Sequence, residues 1–324
     1  MSQGLNRSLV LSITGLSKHQ MYYRPSTAKR GRKPSVSTLK RVGSQVVKLS
    51  NEVLIDQIKS FKKNPLSNYG YKKMTIQLLL EGYYINHKKV NRIMKEQGLL
   101  FPKAKKASRN YVKYRIVIPE RPLQVLEMDI KMVWVTSIRR HAYILTIIDT
   151  FTRAVLHWRV GLQMTQHQVK LAWDDVIVNH LQAADLLNQK IDVEVRNDNG
   201  PQFAAIMVQK YFKENKLNQV FTHPYTPQEN GHIESFHSIL AKHLDNFTFW
   251  DIQELDQQLM TFYDNYNNAR LHGSIAYLWP MLFWEMWDKK MISREVNKNK
   301  KVKFKLKIPY QLISGNKNLR EVSC

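Results

Sequence analysis

The 324-residue chain carries a formal net charge of +24, with 50 lysines and arginines against 26 acidic residues. Its hydrophobic fraction of 43% indicates a globular protein, and no apolar run reaches the roughly 18 residues that a membrane helix needs. The single cysteine, Cys324, excludes an internal disulfide and a cysteine-based zinc site. These features predict a cytoplasmic protein without a membrane segment, long enough for two or three folded units.

Basic residues are concentrated at the two ends of the chain. Residues 1–120 hold 25 lysines and arginines against 5 acidic residues, and residues 289–324 hold 11 against 2, whereas the segment between them has a net charge of −5. Clustered positive charge favours a polyanionic partner, because each neutralised phosphate releases counterions. The charge alone leaves DNA, RNA and anionic lipid open as partners.

The first two segments of the chain have helical patterns. Residues 1–50 are predicted to form two short helices around Gly15, followed by a basic linker with a run of cations at residues 29–33. Residues 51–118 are predicted to form a helix-turn-helix-like DNA-binding unit, with helices at 72–81 and, after an Asn86 cap, at 87–97.

The polar side of this helical pair carries five cations that are suited to phosphate contact. An ordinary helical hairpin with lysines for solubility explains the segment equally well. The candidate DNA-binding residues are Lys72, Lys73, Lys88, Lys89 and Arg92.

Residues 119–288 change to a pattern of strands and helices. Three strand patterns in a row, followed by alternating helices and strands, predict an α/β domain whose mixed sheet has an antiparallel meander at one side and is covered by helices. Strands are predicted at 125–135, 143–148, 155–160, 192–195 and 218–221, and helices at 166–180, 204–215, 231–244 and 252–266. Residues 289–324 are predicted to form a basic C-terminal tail with a short strand at 301–308, one face of which is lysine.

Three carboxylates lie on three of these predicted elements. Asp129 is within the first strand, Asp198 follows a later strand at the edge where open α/β sheets bind ligands, and Glu234 begins a helix. Carboxylates that meet repel one another unless a cation neutralises them, and a hard divalent ion, Mg²⁺ or Mn²⁺, prefers such ligands. Two such ions would support displacement at a phosphate. Glu127 and Glu229 are rival ligands that the spacing does not exclude.

The ordered motifs resemble an insertion-sequence transposase of family three, the second-reading-frame type, with a retroviral-integrase-like catalytic core. The interval of 35 residues between Asp198 and Glu234 is the hallmark spacing of that family. The matching words are Tyr69 to Lys73, Val90 to Lys95, Asp129 with Ile130, Asp149 with Phe151 to Arg153 and Trp158, Asn197 to Phe203, Asn230 and Gly231 with Glu234 to Phe236, and Tyr266 and Asn267 with Arg270, His272 and Pro280.

The resemblance implies a ribonuclease H-like fold and a DDE transposase that cuts and transfers DNA strands at the ends of an insertion sequence. It implies Asp129, Asp198 and Glu234 as the catalytic, metal-binding triad, with two Mg²⁺ or Mn²⁺ ions. The implied partners are the terminal inverted repeats and target DNA, further copies of the chain on that DNA, and an upstream first-frame product. Further DNA contacts are assigned to Asn230, Lys242, Arg270 and His272.

Two positions depart from the family pattern. A Lys or Arg commonly lies seven residues after the glutamate, where this chain has Ala241 followed by Lys242. The pair Arg196 and Asn197 replaces the His-Ser that often precedes the second aspartate. The alternatives to an active transposase are a non-catalytic DNA-binding regulator that retains the fold and a nuclease for RNA·DNA hybrids, and the basic N-terminal unit argues against the nuclease.

Overall fold

The structure is a computed structural model that describes residues 4, 6–23, 34–102, 117–187, 193–223, 227–297 and 301–313. The chain forms two compact units, Met1–Val36 and Ser37–Cys324. The basic run at residues 29–33 lies outside the described residues. Among the helices of the described ranges, none combines the length and the apolar composition that a bilayer span requires.

The first unit contains the two short helices that the sequence predicts. Helix α1 spans Arg7–Thr14 and helix α2 spans Lys18–Met21. Gly15 ends α1 in the left-handed region, at φ 65°, where its N–H donates to the carbonyl oxygen of Leu11 at 3.0 Å. Glycine suits this position because it has no Cβ to clash in that conformation.

A small antiparallel sheet opens the second unit. Strands β1 (Ser37–Val42) and β2 (Gln45–Ser50) form a hairpin, and the short strand β3 (Tyr83–Tyr84) pairs with β1. The hairpin turns at Gly43, which has a φ of 62°. The sequence patterns do not predict this hairpin, because its residues are mostly exposed and lack a clear apolar alternation.

Three helices pack with this sheet: α3 (Asn51–Lys63), α4 (Tyr71–Leu80) and α5 (His87–Glu96). The sequence predicts α4 and α5 to within one residue at each end, but it does not predict α3. Asn86 begins α5 as expected, since its side chain accepts a hydrogen bond from the Lys89 N–H at 2.9 Å. The buried side chains that unite the helices include Leu54, Ile58, Met74, Leu78, Val90, Ile93 and Met94.

The central sheet of the second unit has five strands in the order β6-β5-β4-β7-β8. Neighbouring strands run antiparallel from β6 to β4 and parallel from β4 through β7 to β8. The meander followed by parallel strands confirms the predicted mixed α/β, ribonuclease H-like arrangement. The strands are β4 (Val125–Val135), β5 (Arg140–Asp149), β6 (Val155–Gly161), β7 (Val193–Asn197) and β8 (Leu217–Phe221).

Helices cover both faces of this sheet. One face buries Leu126 and Met128 against α6 (Gln166–Val176) and α8 (Ile206–Glu214). The other face buries side chains such as Ile144 against α9 (Gly231–Leu244) and α10 (Ile252–Asn268). The two faces follow from the alternation of side chains along each strand.

Two predicted helices differ in detail from the structure. The helix predicted at 166–180 ends its α-helical part at Val176 and continues as a π-helix over Ile177–Gln182. The helix predicted at 204–215 is divided at Ala205 into α7 (Pro201–Ala204) and α8. The extended backbone of Ala205, with ψ 134°, interrupts the helix.

Residues 280–297 and 301–313 fold onto the core. Helix α11 (Pro280–Asp288) leads into the antiparallel hairpin of β9 (Ile292–Val296) and β10 (Val302–Leu306), and the short helix α12 (Tyr310–Ile313) follows. Phe304 of β10 packs edge-on against Phe151, with 5.2 Å between ring centroids. Lysines occupy the exposed side of β10, as the period of two predicts, while its other side completes an apolar cluster.

The helical segment is joined to the core by a buried hydrogen bond. The Tyr69 hydroxyl accepts from the Leu271 N–H at 3.0 Å, and Leu271 is part of the same apolar cluster as α3, α4 and α5. Arg270 donates to the carbonyl oxygen of Leu66 at 3.4 Å. The helical segment and the core therefore share buried surface instead of being joined only by a linker.

We expect Tyr69→Phe to lower the free energy of unfolding by about 1–3 kcal/mol, because it leaves the buried Leu271 N–H without its acceptor. Chemical denaturation measures this loss. The control is Tyr84→Phe, which removes a hydroxyl from a side chain that is 46% exposed. Equal stabilities for the two variants would contradict a junction held by this bond.

Candidate active site

Asp129 lies on β4 where that strand passes beyond its parallel partner. The pairing of β4 with β7 ends at Glu127, so the residues after it border a cleft. The Oδ1 of Asp129 accepts from the Ile130 N–H at 2.7 Å, and its Oδ2 lies 3.3 Å from Nδ1 of His237 on α9. The carboxylate is thus held between the strand and the helix.

Asp198 begins the turn that joins β7 to α7. Its Oδ1 accepts from the Gly200 N–H at 2.9 Å, and Pro201 then occupies the first position of the helix. A Cβ at Gly200 would lie 3.0 Å from that oxygen, so glycine leaves room for the carboxylate. The turn predicted from the Asn-Gly-Pro sequence is present, and it leaves Asp198 exposed.

Glu234 lies in the first turn of α9 and is exposed. Partial burial and the negative charge of Asp129 raise the pKa of Glu234, and His237 opposes that shift. Because the charge of Asp129 acts on Glu234, these two carboxylates are close enough to interact.

A cleft of about 190 Å³ joins two of the three carboxylates. Within the described ranges, no group of three or more His, Cys, Asp or Glu side chains stands close enough together to hold a metal ion. Asp129 lines the same cleft as Asp198, and its charge acts on Glu234, while Asp129 and Asp198 each accept a local backbone hydrogen bond. The cleft is lined by Asp129, Ile130, Met132, Tyr143, Met164, Asp198 and Gln202.

Glu127 has a structural position instead of a place in the cleft. Its side chain is fully buried, and Oε2 accepts from the N–H groups of His232 at 3.1 Å and Ile233 at 2.8 Å. Burial raises the pKa of Glu127 to about 7, against the opposing effects of the hydrogen bonds and of nearby arginines. Glu127 therefore caps the N-terminus of α9 from within the sheet.

Glu229 is also not a cleft residue, because its carboxylate contacts His223. It is buried and forms an ion pair with His223, with 2.9 Å between Oε2 and Nδ1. Its carbonyl oxygen accepts from Arg196, which also pairs with Glu194. Arg196 and Asn197, the pair that departs from the family pattern, are both buried in the sheet and so support the strand that leads to Asp198.

The sequence motifs include Arg153 but assign it no role in this site. Arg153 is half-buried and adopts the left-handed region at φ 67°, and its charge acts on Glu127 and Asp149. Burial, with the charges of Arg153 and Arg196, lowers the pKa of His232 to about 2, so that this imidazole is neutral. The sequence predicts the turn before β6 that contains Arg153. Only the fold brings the charge of Arg153 close enough to act on Glu127 at the start of α9.

The cations predicted to contact DNA divide into two groups. Lys72 and Lys88 are exposed on α4 and α5. Lys89 instead donates to the Ser37 carbonyl oxygen and to Thr38 Oγ1, both at 2.6 Å, which ties α5 to β1. Burial lowers the pKa of Lys73 to about 8, and Arg92 pairs with Glu96 on its own helix.

Two of the assigned contacts outside the helical unit have partners within the fold. His272 is 8% exposed and packs edge-on against Tyr266, with 4.7 Å between ring centroids. Arg270 points its Nη1 at the Leu66 carbonyl oxygen. These residues serve the junction between the two parts of the fold. Asn230 is buried at the start of α9, whereas Lys242 is exposed in the last turn of that helix.

Comparison with known families gives three matches along the chain. Two models described as "Integrase core domain" match residues 119–227 and 215–280, and a model described as "HTH-like domain" matches residues 48–107. The integrase-core matches contain all three carboxylates, and the HTH-like match contains α3, α4 and α5.

Individual relatives agree with the family matches. InsK of insertion sequence element IS150 from Escherichia coli is 27% identical, covering 66% of this chain and 76% of its own length. The transposase for insertion sequence element IS904 from Lactococcus lactis is 24% identical, covering 72% and 94%. Among solved structures, the catalytic core domain of HTLV-2 integrase in complex with magnesium is 17% identical, covering 47% of this chain and 92% of that one, with a TM-score of 0.35. The fold assignment rests on the strand order and not on this last likeness.

We expect Glu127→Ala to lower the free energy of unfolding by about 2–4 kcal/mol, because it leaves two buried N–H groups of α9 without an acceptor. Glu127→Gln keeps an oxygen in the same place and is expected to lose much less. Chemical denaturation at neutral pH compares them. A Gln variant as unstable as the Ala variant would show that the capping oxygen is not what stabilises this position.

We expect Lys73→Met to raise the free energy of unfolding at neutral pH by about 1–3 kcal/mol, since burial penalises the charged lysine. An unfolded lysine keeps its proton up to a pKa of 10.5, whereas folded Lys73 loses it near 8. The contribution of Lys73 to the free energy of unfolding therefore becomes less unfavourable as pH increases from about 8 to 10.5, and it is constant below that window.

Denaturation midpoints of the native chain and of Lys73→Met across this pH range measure the difference. Exposed Lys72→Met is the matched control, and its curve should run parallel to that of the native chain. A Lys73→Met curve that also runs parallel would contradict the depressed pKa.

Proposed function

The chain belongs to the insertion-sequence transposases that carry an integrase core domain, and we propose that Asp129, Asp198 and Glu234 are the carboxylates with which it cuts and joins DNA strands. One observation carries this proposal. Asp129 lines the same cleft as Asp198 and acts electrostatically on Glu234. The three elements that bear them are those on which the sequence predicts a catalytic triad.

The donor chemistry fits a divalent cation. All three side chains offer carboxylate oxygens, the ligands that Mg²⁺ and Mn²⁺ prefer, and the repulsion between Asp129 and Glu234 is relieved by positive charge between them. When bound, two such ions would activate the attacking water or 3′-hydroxyl and stabilise the leaving oxygen. We assign their binding to Asp129, Asp198 and Glu234.

Neighbouring groups of the chain hold these carboxylates in place. The Gly200 N–H fixes one oxygen of Asp198, and His237 fixes one oxygen of Asp129 from the helix that also bears Glu234. Glu127 holds the start of that helix against β4. Contacts within the chain therefore orient both aspartates and the helix that bears Glu234.

We propose a path for the DNA along three exposed lysines. Lys72 and Lys88 lie on the HTH-like domain, and Lys242 lies at the end of α9. We propose that they contact the phosphates of the terminal inverted repeats, and that copies of the chain assemble on this DNA in the bacterial cytoplasm, together with an upstream first-frame product. All three carboxylates are present, which favours the enzyme over a non-catalytic regulator.

We expect Asp198→Asn to reduce strand transfer to background while DNA affinity is retained. A carboxamide keeps the shape of the side chain but removes the charge that a divalent ion requires. Strand transfer is measured with Mn²⁺ or Mg²⁺ on DNA that carries the terminal repeats of the element. Asp245→Asn, an exposed aspartate at the other end of α9, is the control and should remain active. Undiminished activity of Asp198→Asn would reject the triad.

A further inference from the structure

We propose that a strip of exposed and partly exposed side chains beside the carboxylate cleft binds unpaired nucleotide bases of the DNA strand. We call these residues the aromatic strip: Met132, Trp134, His141 and Tyr143. The proposal rests on the proposed function, since it takes the cleft to be the place where DNA is cut. It adds a binding site for single-stranded nucleotides next to that place.

Strand pairing places the four side chains on one face of the sheet. In the antiparallel pairing of β4 with β5, Met132 is opposite Tyr143 and Trp134 is opposite His141. Opposite residues in an antiparallel pair point to the same face, and so do residues two apart on one strand. The rings of Trp134 and His141 touch edge-on, with 5.1 Å between centroids.

The aromatic strip is continuous with the cleft. Met132 and Tyr143 line it together with Asp129 and Asp198. Met132 is three residues along β4 from Asp129, a distance of roughly 10 Å for an extended strand, and Trp134 is two residues further on. Because residues three apart on a strand point to opposite faces, Asp129 meets the strip only through the cleft that it lines together with Met132 and Tyr143. A DNA strand held in that cleft would extend over the strip from there.

The exposure of these side chains indicates a ligand. Earlier on the same face of β4, Leu126 and Met128 are completely buried beneath α6 and α8. Beyond Ile130 this cover ends, and Met132 is 59% exposed and Trp134 50% exposed. Large apolar side chains grouped on a surface next to a cleft are typical of a binding site.

The charge around the strip selects a nucleic acid as that ligand. Residues 130–148 contain three cations and no acidic residue, and Arg139 and Arg140 are exposed at the turn between β4 and β5. Aromatic rings that stack on bases, with cations beside them for the phosphates, are how proteins bind single strands. Because the flat faces of bases are covered within a duplex, the ligand is an unpaired stretch.

The test compares two DNAs that differ only in an unpaired end. One is a blunt duplex, and the other is the same duplex with a short single-stranded extension that contains 2-aminopurine, whose fluorescence falls when it stacks. Binding is measured with the full chain in EDTA, so that no strand is cut. The native chain is expected to quench the probe and to prefer the extended DNA.

Trp134→Ala should weaken binding to the extended DNA by about 10-fold and relieve the quenching, with the affinity for blunt duplex unchanged. Trp134→Phe should retain most of the affinity for the extended DNA and most of the quenching, since an aromatic ring remains. The control is Trp250→Ala, because Trp250 is 61% exposed but is not part of the aromatic strip. This control should behave as the native chain does.

Three results would overturn the proposal. Unchanged binding of Trp134→Ala to the extended DNA would show that no base stacks there. An equal loss on both DNAs would assign Trp134 to the duplex. A change in the sedimentation of the protein alone, without an effect on the probe, would make the strip a contact between copies of the chain. Because these measurements need no metal, their outcome is independent of whether Asp198→Asn abolishes strand transfer.

Discussion

The bond between Glu127 and the N-terminus of α9 is the constraint on which the rest of this site depends. A single buried oxygen accepts from two consecutive N–H groups, at 3.1 and 2.8 Å, and so fixes the first turn of α9 against β4. Asp129 lies two residues further along that strand, and Glu234 lies in that turn. Two carboxylates on separate elements thereby come close enough for the charge of one to act on the other.

A second consequence of this arrangement is a buried polar cluster beneath the cleft. Asp149 accepts hydrogen bonds from the N–H groups of Leu123, Phe151 and Thr152, and the charge of half-buried Arg153 acts on both Asp149 and Glu127. Buried charges of this kind are tolerated because each lies near an opposite charge or accepts several hydrogen bonds. They orient the turn before β6 and so stiffen the floor of the site.

The positive charge of the chain has more than one purpose. Lys89 ties α5 to β1 and Arg270 joins the helical segment to the core, while Lys73 is partly buried. Lys72, Lys88 and Lys242 remain exposed. A net charge therefore indicates a polyanionic partner, but it does not show which cations meet it. The aromatic strip and the cleft would together provide a continuous surface for a DNA strand whose end is unpaired.

The sequence by itself determined the order of the core elements, the turn at Asp198 and the residue types of the triad. These features depend on local rules, namely apolar periodicity, helix caps and turn residues, which act over a few neighbours. The match of β4 and α9 to their predicted bounds reflects strong apolar patterns in both. The hairpin of β1 and β2 has no such pattern and was not predicted.

Only the tertiary structure decided which polar groups are buried and what they contact. From spacing alone, Glu127 and Asp129 were equal candidates for one site, yet the first is enclosed beneath α9 while the second borders the cleft. His272 and Arg270 have the composition of DNA contacts but lie at a junction between distant segments. Burial and long-range partners depend on how remote parts of the chain pack, and no local pattern records that information.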